Sequence, residues 1–103
     1  MEELKKYYNA KLAEFETLHK KWVQSNWNLN GLYLAKGQIK TEGDTKIDYA
    51  AEVLEKATTE EKRRNNDLTY ATNALSGFLL DMERYIKDNF GEDLNGVYTV
   101  RGY

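Results

Sequence analysis

Thr41-Glu42-Gly43-Asp44 is the stretch that decides the fold. It is a break in a chain of 103 residues that carries no proline anywhere. Gly43 suits the position just past a helix end, and Asp44 is a good cap for a following helix. Outward from this break, in both directions, apolar residues recur in alternating steps of three and four. Toward the N-terminus the seam reads Ile39, Lys36, Leu32, Leu29, Ser25, Trp22, Leu18, Phe15, Lys11, Tyr8, Leu4 and Met1. Toward the C-terminus it reads Ile47, Ala50, Leu54, Ala57, Glu61, Arg64, Leu68, Ala71, Leu75, Phe78, Met82 and Tyr85. Such steps keep one face of a helix turned toward a partner helix. The reading is an all-α protein, a long antiparallel helical hairpin with arms at about 2–40 and 45–90. Residues 1–90 make the helical domain, and residues 91–103 make a C-terminal tail.

If the break is a turn, residues facing each other across it have numbers summing to about 86. Leu32 then meets Leu54, Leu29 meets Ala57, Leu18 meets Leu68 and Phe15 meets Ala71. Further down, Tyr8 meets Phe78, Leu4 meets Met82 and Met1 meets Tyr85. Ile39 and Ile47 close the layer beside the turn. Both arms weaken at one height. Ser25-Asn26-Trp27-Asn28-Leu29-Asn30-Gly31 is a poor helix former, and it faces the polar run from Thr58 to Asp67. Ser25 falls opposite Glu61, and Trp22 opposite Arg64, where a guanidinium could lie over the indole. Two architectures satisfy this pattern. Continuous arms of about forty residues make a rod about 60 Å long. Arms broken at mid-height, with Asp67 capping a last helix, fold over into a four-helix bundle.

Further apolar residues widen each arm beyond one seam. Val23, Trp27 and Leu34 form a second stripe on the first arm, and Leu79, Ile86 and Phe90 a shoulder on the second. A lone hairpin would leave these in water as a patch that soluble monomers seldom carry. Gly91 ends the second helix. The tail that follows contains Val97-Tyr98-Thr99-Val100, whose β propensity suggests a short extended segment. Tyr98, Arg101 and Tyr103 in that tail are residue types that anchor interfaces. Tyr7, Trp27, Tyr49, Tyr70, Tyr98 and Tyr103 are hard to hide in one seam, and are expected as contact residues.

Composition excludes more than it proposes. The net charge of −2, from fifteen basic and seventeen acidic residues, gives no field that would attract DNA or an anionic membrane. No apolar run approaches membrane-spanning length, so a cytoplasmic location is expected. With one histidine and no cysteine, neither a thiolate metal site nor Cys-His catalysis has the residues it needs. Glu16-Thr17-Leu18-His19 has the Glu-x-x-His spacing of di-metal bundles, but a second such motif is missing. Gly31 and Gly37 are not followed by the Lys-Ser/Thr of a phosphate loop. No enzyme, metal or cofactor is expected. Lys62, Arg63 and Arg64 form a short basic cluster, the candidate contact for nucleic acid, but Glu60 and Glu61 beside it nearly cancel its charge.

A chain of about a hundred residues, without cysteine and folded as a pairing helical hairpin, resembles the WXG100 secreted proteins. The resemblance stops at the motif. Here the turn is Thr-Glu-Gly-Asp, and Trp27-Asn28-Leu29-Asn30-Gly31 has a different spacing and lies within the first arm. The expectation is therefore a non-enzymatic interaction module that binds another protein or a copy of itself. Its candidate contacts are Val23, Trp27, Leu34, Leu79, Ile86, Tyr98, Arg101 and Tyr103. A dimeric nucleic-acid regulator and a leaderless secreted hairpin are the alternatives.

Overall fold

The structure, a computed structural model, describes residues 1–40 and 46–102, with side chains for all of these except 39, 40 and 46–50. It contains α1 (Glu2–Lys40), α2 (Lys46–Phe90) and α3 (Gly96–Arg101). At 1.5 Å per residue, helices of 39 and 45 residues measure about 58 and 68 Å. The molecule is 66 Å long and 20 by 15 Å across, so both arms run unbroken. Its radius of gyration is 19.9 Å, against about 13 Å for a compact chain of this length. The rod is the architecture, not the folded-over bundle. The polar run from Thr58 to Asp67 stays helical within α2. The turn at Thr41–Asp44, with Gly43 and Asp44, lies outside the described residues, and the Ile39/Ile47 layer outside the described side chains.

The base of the rod holds the core. Tyr8 and Phe15 of α1, Leu79 and Ile86 of α2, and Val97 of α3 are buried together. Leu4, Leu12, Leu75, Leu80, Met82, Leu94 and Val100 pack around them. This corrects the phase of the second seam. Leu54, Leu68, Leu75 and Met82 face inward as read, but the other inward line is Thr58, Asn65, Thr72, Leu79 and Ile86. It is not Ala57, Arg64, Ala71, Phe78 and Tyr85. The shift is one residue, or about 100° of helix rotation. The line runs on through Asn65 and Thr58 above the reach of α3, so this phase belongs to the packing of α2 on α1, and at the base α3 adds further cover to it.

Higher up, where α3 is absent, the seam is polar and its groups bond across it. Ser25 Oγ donates to Glu61 Oε1 at 2.7 Å, the pairing expected from the sequence. Asn65 Nδ2 donates to Asn26 Oδ1 at 2.8 Å and to Ser25 Oγ at 3.2 Å. Asn28 Nδ2 reaches the same Glu61 oxygen at 3.4 Å, and Gln24 donates to Asn28 at 3.0 Å. Thr58 satisfies its own hydroxyl by donating to the Leu54 carbonyl at 2.7 Å. The asparagines that weaken this stretch as a helix are thus the groups that join it to α2. Trp22 Nε1 donates to Thr69 Oγ1 at 3.0 Å, so the expected Arg64 stack on Trp22 does not form.

The tail is helical rather than extended, and the described residues contain no strand. Gly91, at φ +70°, ends α2 as expected, its N–H bonding to the Lys87 carbonyl. The chain then turns back along the hairpin and forms α3, closed by Gly102 at φ +80°. Leu94, Val97 and Val100 recur every third residue, and all three pack against the core. Burying that face outweighs the β propensity of valine and tyrosine. Lys5–Glu92 and Lys87–Asp93 ion pairs tie the returning loop to both long helices.

Candidate functional site

Since the two long helices lie side by side, residues one heptad apart form lines along the rod. Ala57, Arg64, Ala71, Phe78 and Tyr85 make one such line on α2. It lies on the side opposite Asn73, Leu80 and Glu83, which meet α3 or its approach loop. At the base, Tyr7 meets Phe78 edge-on at 6.2 Å, and Tyr85 meets Phe90 at 6.4 Å. All four rings are close to half exposed. Further up this side, an open groove of about 660 Å³ runs between the long helices. It is lined by Trp27, Gly31 and Leu32 of α1 and by Ala57, Glu61 and Arg64 of α2. Trp27 is 68% exposed, and Leu34, one heptad on, is 73% exposed.

The structure sorts the residues expected at an interface into three groups. Trp27 and Leu34 are exposed and share a side, with Val23 half-buried below them. Leu79 and Ile86 are fully buried in the core and have no surface to offer, which corrects their placement on an open shoulder. Their neighbours Phe78 and Tyr85, read as seam, hold that position at 44% and 55% exposure. Tyr98 is half exposed on α3, whereas Arg101 folds back over the Phe15 ring at 5.6 Å. Tyr103 and Tyr49 lie outside what is described. Tyr7 and Tyr70 are exposed with Trp27 and Tyr98. The signal for the Phe78/Tyr85 exchange was present in the chain. Thr72 and Ser76, spaced for one face with Leu79 and Ile86, are small enough to lie inward at the base where Phe78 and Tyr85 are not.

Lys62, Arg63 and Arg64 are exposed but do not act as one patch. The Lys62 ammonium lies 5.5 Å from the Tyr33 ring centre, and Arg64 lines the groove beside Trp27. Among the described residues, no three acidic or histidine side chains gather as a metal site would require. No helix there is long and apolar enough to cross a membrane.

A buried polar pair fastens α3 to the base. The Tyr8 hydroxyl and Glu83 carboxylate face each other beside the Gly96 and Val97 amides that open α3. Asn95 supplies no side-chain cap to this helix, and the Glu83 carboxylate lies against its Val97 amide. Contact is close. A Cβ at Gly96 would collide with the Tyr8 hydroxyl and stand 2.6 Å from a Leu12 methyl. Burial, then the Glu83 charge, pushes the Tyr8 hydroxyl from 10.0 up to about 12. Burial likewise raises the Glu83 carboxyl, against the lowering pull of the Tyr8 and Val97 contacts. Neither the Tyr8 hydroxyl nor Glu83 Oε2 completes a well-aligned hydrogen bond.

No protein-family model, curated protein or solved structure matches this chain.

Proposed function

We propose that this protein is a non-enzymatic interaction module that associates with a copy of itself, or with another protein, through the exposed side of its rod. The observation that supports this reading is the position of Trp27 and Leu34. They are among the most exposed large apolar side chains, one heptad apart, on the half of the rod where no third helix covers the seam. Below them Tyr7 of α1 and Phe78, Tyr85 and Phe90 of α2 continue the apolar surface. Aromatic anchors around a groove are what protein interfaces are built from. A second hairpin laid along this side would complete for the upper half what α3 completes for the base. The near-balanced charge of the chain does not oppose pairing of like copies.

Sedimentation velocity over a concentration series tests this, with the native chain beside a Trp27→Ala/Leu34→Ala double variant. The native chain is expected to sediment as a dimer or larger at high concentration. The variant is expected to sediment as a monomer with unchanged helix content by circular dichroism. Equal association of the two chains would contradict the assignment of this surface.

A further inference from the structure

At the base α3 covers one flank of the α1–α2 seam, and the opposite flank stays open from end to end. Each long helix carries a heptad line on that open flank. On α1 it runs Tyr7, Glu14, Lys21, and on α2 Ala57, Arg64, Ala71, Phe78. The edge-on contact of Tyr7 with Phe78 sets the two lines level. Since the helices are antiparallel, Glu14 then stands level with Ala71, and Lys21 with Arg64.

The two ends of this flank have opposite shapes. Near the base the Tyr7 and Phe78 rings stand out, 49% and 44% exposed. About 30 Å away lies the open groove of about 660 Å³, where Gly31 and Ala57 leave space beside Trp27. A Cβ built on Gly31 would meet nothing within 4 Å. Charge changes sign between the ends. Glu14 bonds to Lys11, its own neighbour in the helix, at 3.3 Å. Neither Lys21 nor Arg64 forms an ion pair among the described residues.

A surface that pairs with its own copy must carry both a feature and the complement of that feature, related by a two-fold axis. This flank does. An axis crossing the rod midway between Glu14 and Lys21 also passes midway between Arg64 and Ala71. It sets two copies flank to flank and antiparallel, α1 on α1 and α2 on α2. Phe78 of each copy falls at Ala57 of the other, a large ring against a small side chain at the groove. Glu14 falls at Lys21 of the other copy, with Arg64 of that copy at the same level. Parallel copies would instead oppose Lys21 to Arg64 and Tyr7 to Phe78, so that like charges face and both grooves stay empty. A strip 66 Å long, even at the narrower width of 15 Å, covers about 1,000 Å² of each copy, and a standard specific interface covers about 800 Å².

We propose that a second copy of this chain occupies the open flank, antiparallel, with its two-fold axis between Glu14 and Lys21. The pairing rests on the self-association reading above and adds its direction and register to it.

The chain has no cysteine, so Arg84→Cys, on the exposed outer side of α2, takes a single spin label. That residue lies about 25 Å from the axis, and dipolar spectroscopy of the dimer should read a separation of about 50 Å. Sedimentation of the unlabelled chain gives the dimer Kd. Glu14→Lys should raise it about tenfold or more, because symmetry repeats the reversed contact. Adding Lys21→Glu to Glu14→Lys should return it to within about threefold of the native value. A separation of about 30 Å or less, or tighter association in Lys21→Glu alone, marks a parallel pair. Either result would overturn this inference and leave self-association standing, as would an unchanged Kd in Glu14→Lys. A native chain that sediments as a monomer at every concentration would remove both.

Discussion

At its base the rod buries Tyr8, Phe15, Leu79, Ile86 and Val97 almost completely, whereas about 15 Å beyond Phe15 along α1 the fully buried side chain is Ser25, with Thr58 on the facing helix. The same two helices run through both regions; the difference is α3. Two helices side by side leave solvent on both flanks of their seam, so a large side chain placed there stays partly wet. Only a short one, bonded locally or across the seam, is enclosed. A third helix laid over one flank closes it, and an apolar core becomes possible. The base is therefore a three-helix core. The upper half is an arm whose register is held by Ser25, Glu61 and Asn65 and whose apolar side faces outward. The function proposed above follows from that imbalance.

Substitution at the two ends should break the symmetry of the helices in the largest way. Phe15→Ala removes a fully buried ring and should cost about 3–5 kcal/mol, a large part of the stability of a chain this size. Leu34→Ala, on an equally apolar residue of the same helix, should stay within about 0.5 kcal/mol. Urea midpoints of the two variants measure the contrast, and comparable losses would mean that the arm carries a core of its own. Next in size, Gly96→Ala forces a methyl against Tyr8 and Leu12 and should cost about 1–3 kcal/mol. Its signature is faster hydrogen exchange at Val97 to Arg101, with the Trp22 to Gly31 region unchanged. Asn65→Ala is the reciprocal change in the arm. It deletes the amide donor to Ser25 and Asn26 and should cost about 1–2 kcal/mol, read as faster exchange around Ser25 alone.

The smallest of these effects is a dependence on pH confined to the base. Burial holds the Glu83 carboxyl above its ordinary value of 4.5, so the folded base keeps a proton that the unfolded chain releases earlier. Stability from this group is full in acid, below the unfolded value, and falls as pH rises through the folded one. Tyr8 repeats the pattern in alkali. Its hydroxyl, raised to about 12, makes the fold lose stability above pH 10.0, where the unfolded chain ionises first. Arg84, Lys87, Asp88 and Asp93 line the recess beside Glu83 and set its local field. Glu83→Gln should flatten the acid-side slope of the urea midpoint while the alkaline loss persists. An unchanged slope would place the effect elsewhere.

The hairpin was legible in the chain because heptads report local periodicity, and every step of the first seam is local. The Ser25–Glu61 pairing was legible for the same reason, once the break at Thr41–Asp44 placed the arms. What the heptads could not carry was the effect of a third element. Phe78 and Tyr85 look like core by residue type, and Thr72 and Ser76 do not. The buried arc of α2 sits one residue round from the heptad reading from Thr58 to Ile86, and at the base α3 closes the flank over Thr72, Ser76, Leu79 and Ile86. The helix itself was hidden by the propensity of Val97, Tyr98 and Val100 for strands, although Leu94, Val97 and Val100 already had helical spacing. At the candidate surface, Trp27 and Leu34 could be placed because they lie far from α3. Leu79 and Ile86 were misplaced because they lie under it.

The central claim is that the base completes itself while the arm is completed by another chain. Native-state amide exchange of the unmodified protein at low and high concentration tests it most directly. At low concentration, amides near Phe15, Leu79 and Ile86 should be the slowest to exchange, and those from Trp27 to Leu34 markedly faster. On raising the concentration, protection from Trp27 to Leu34 should climb toward that of the base. Uniform protection along both helices at low concentration, or an arm that exchanges at the same rate at every concentration, would contradict the account.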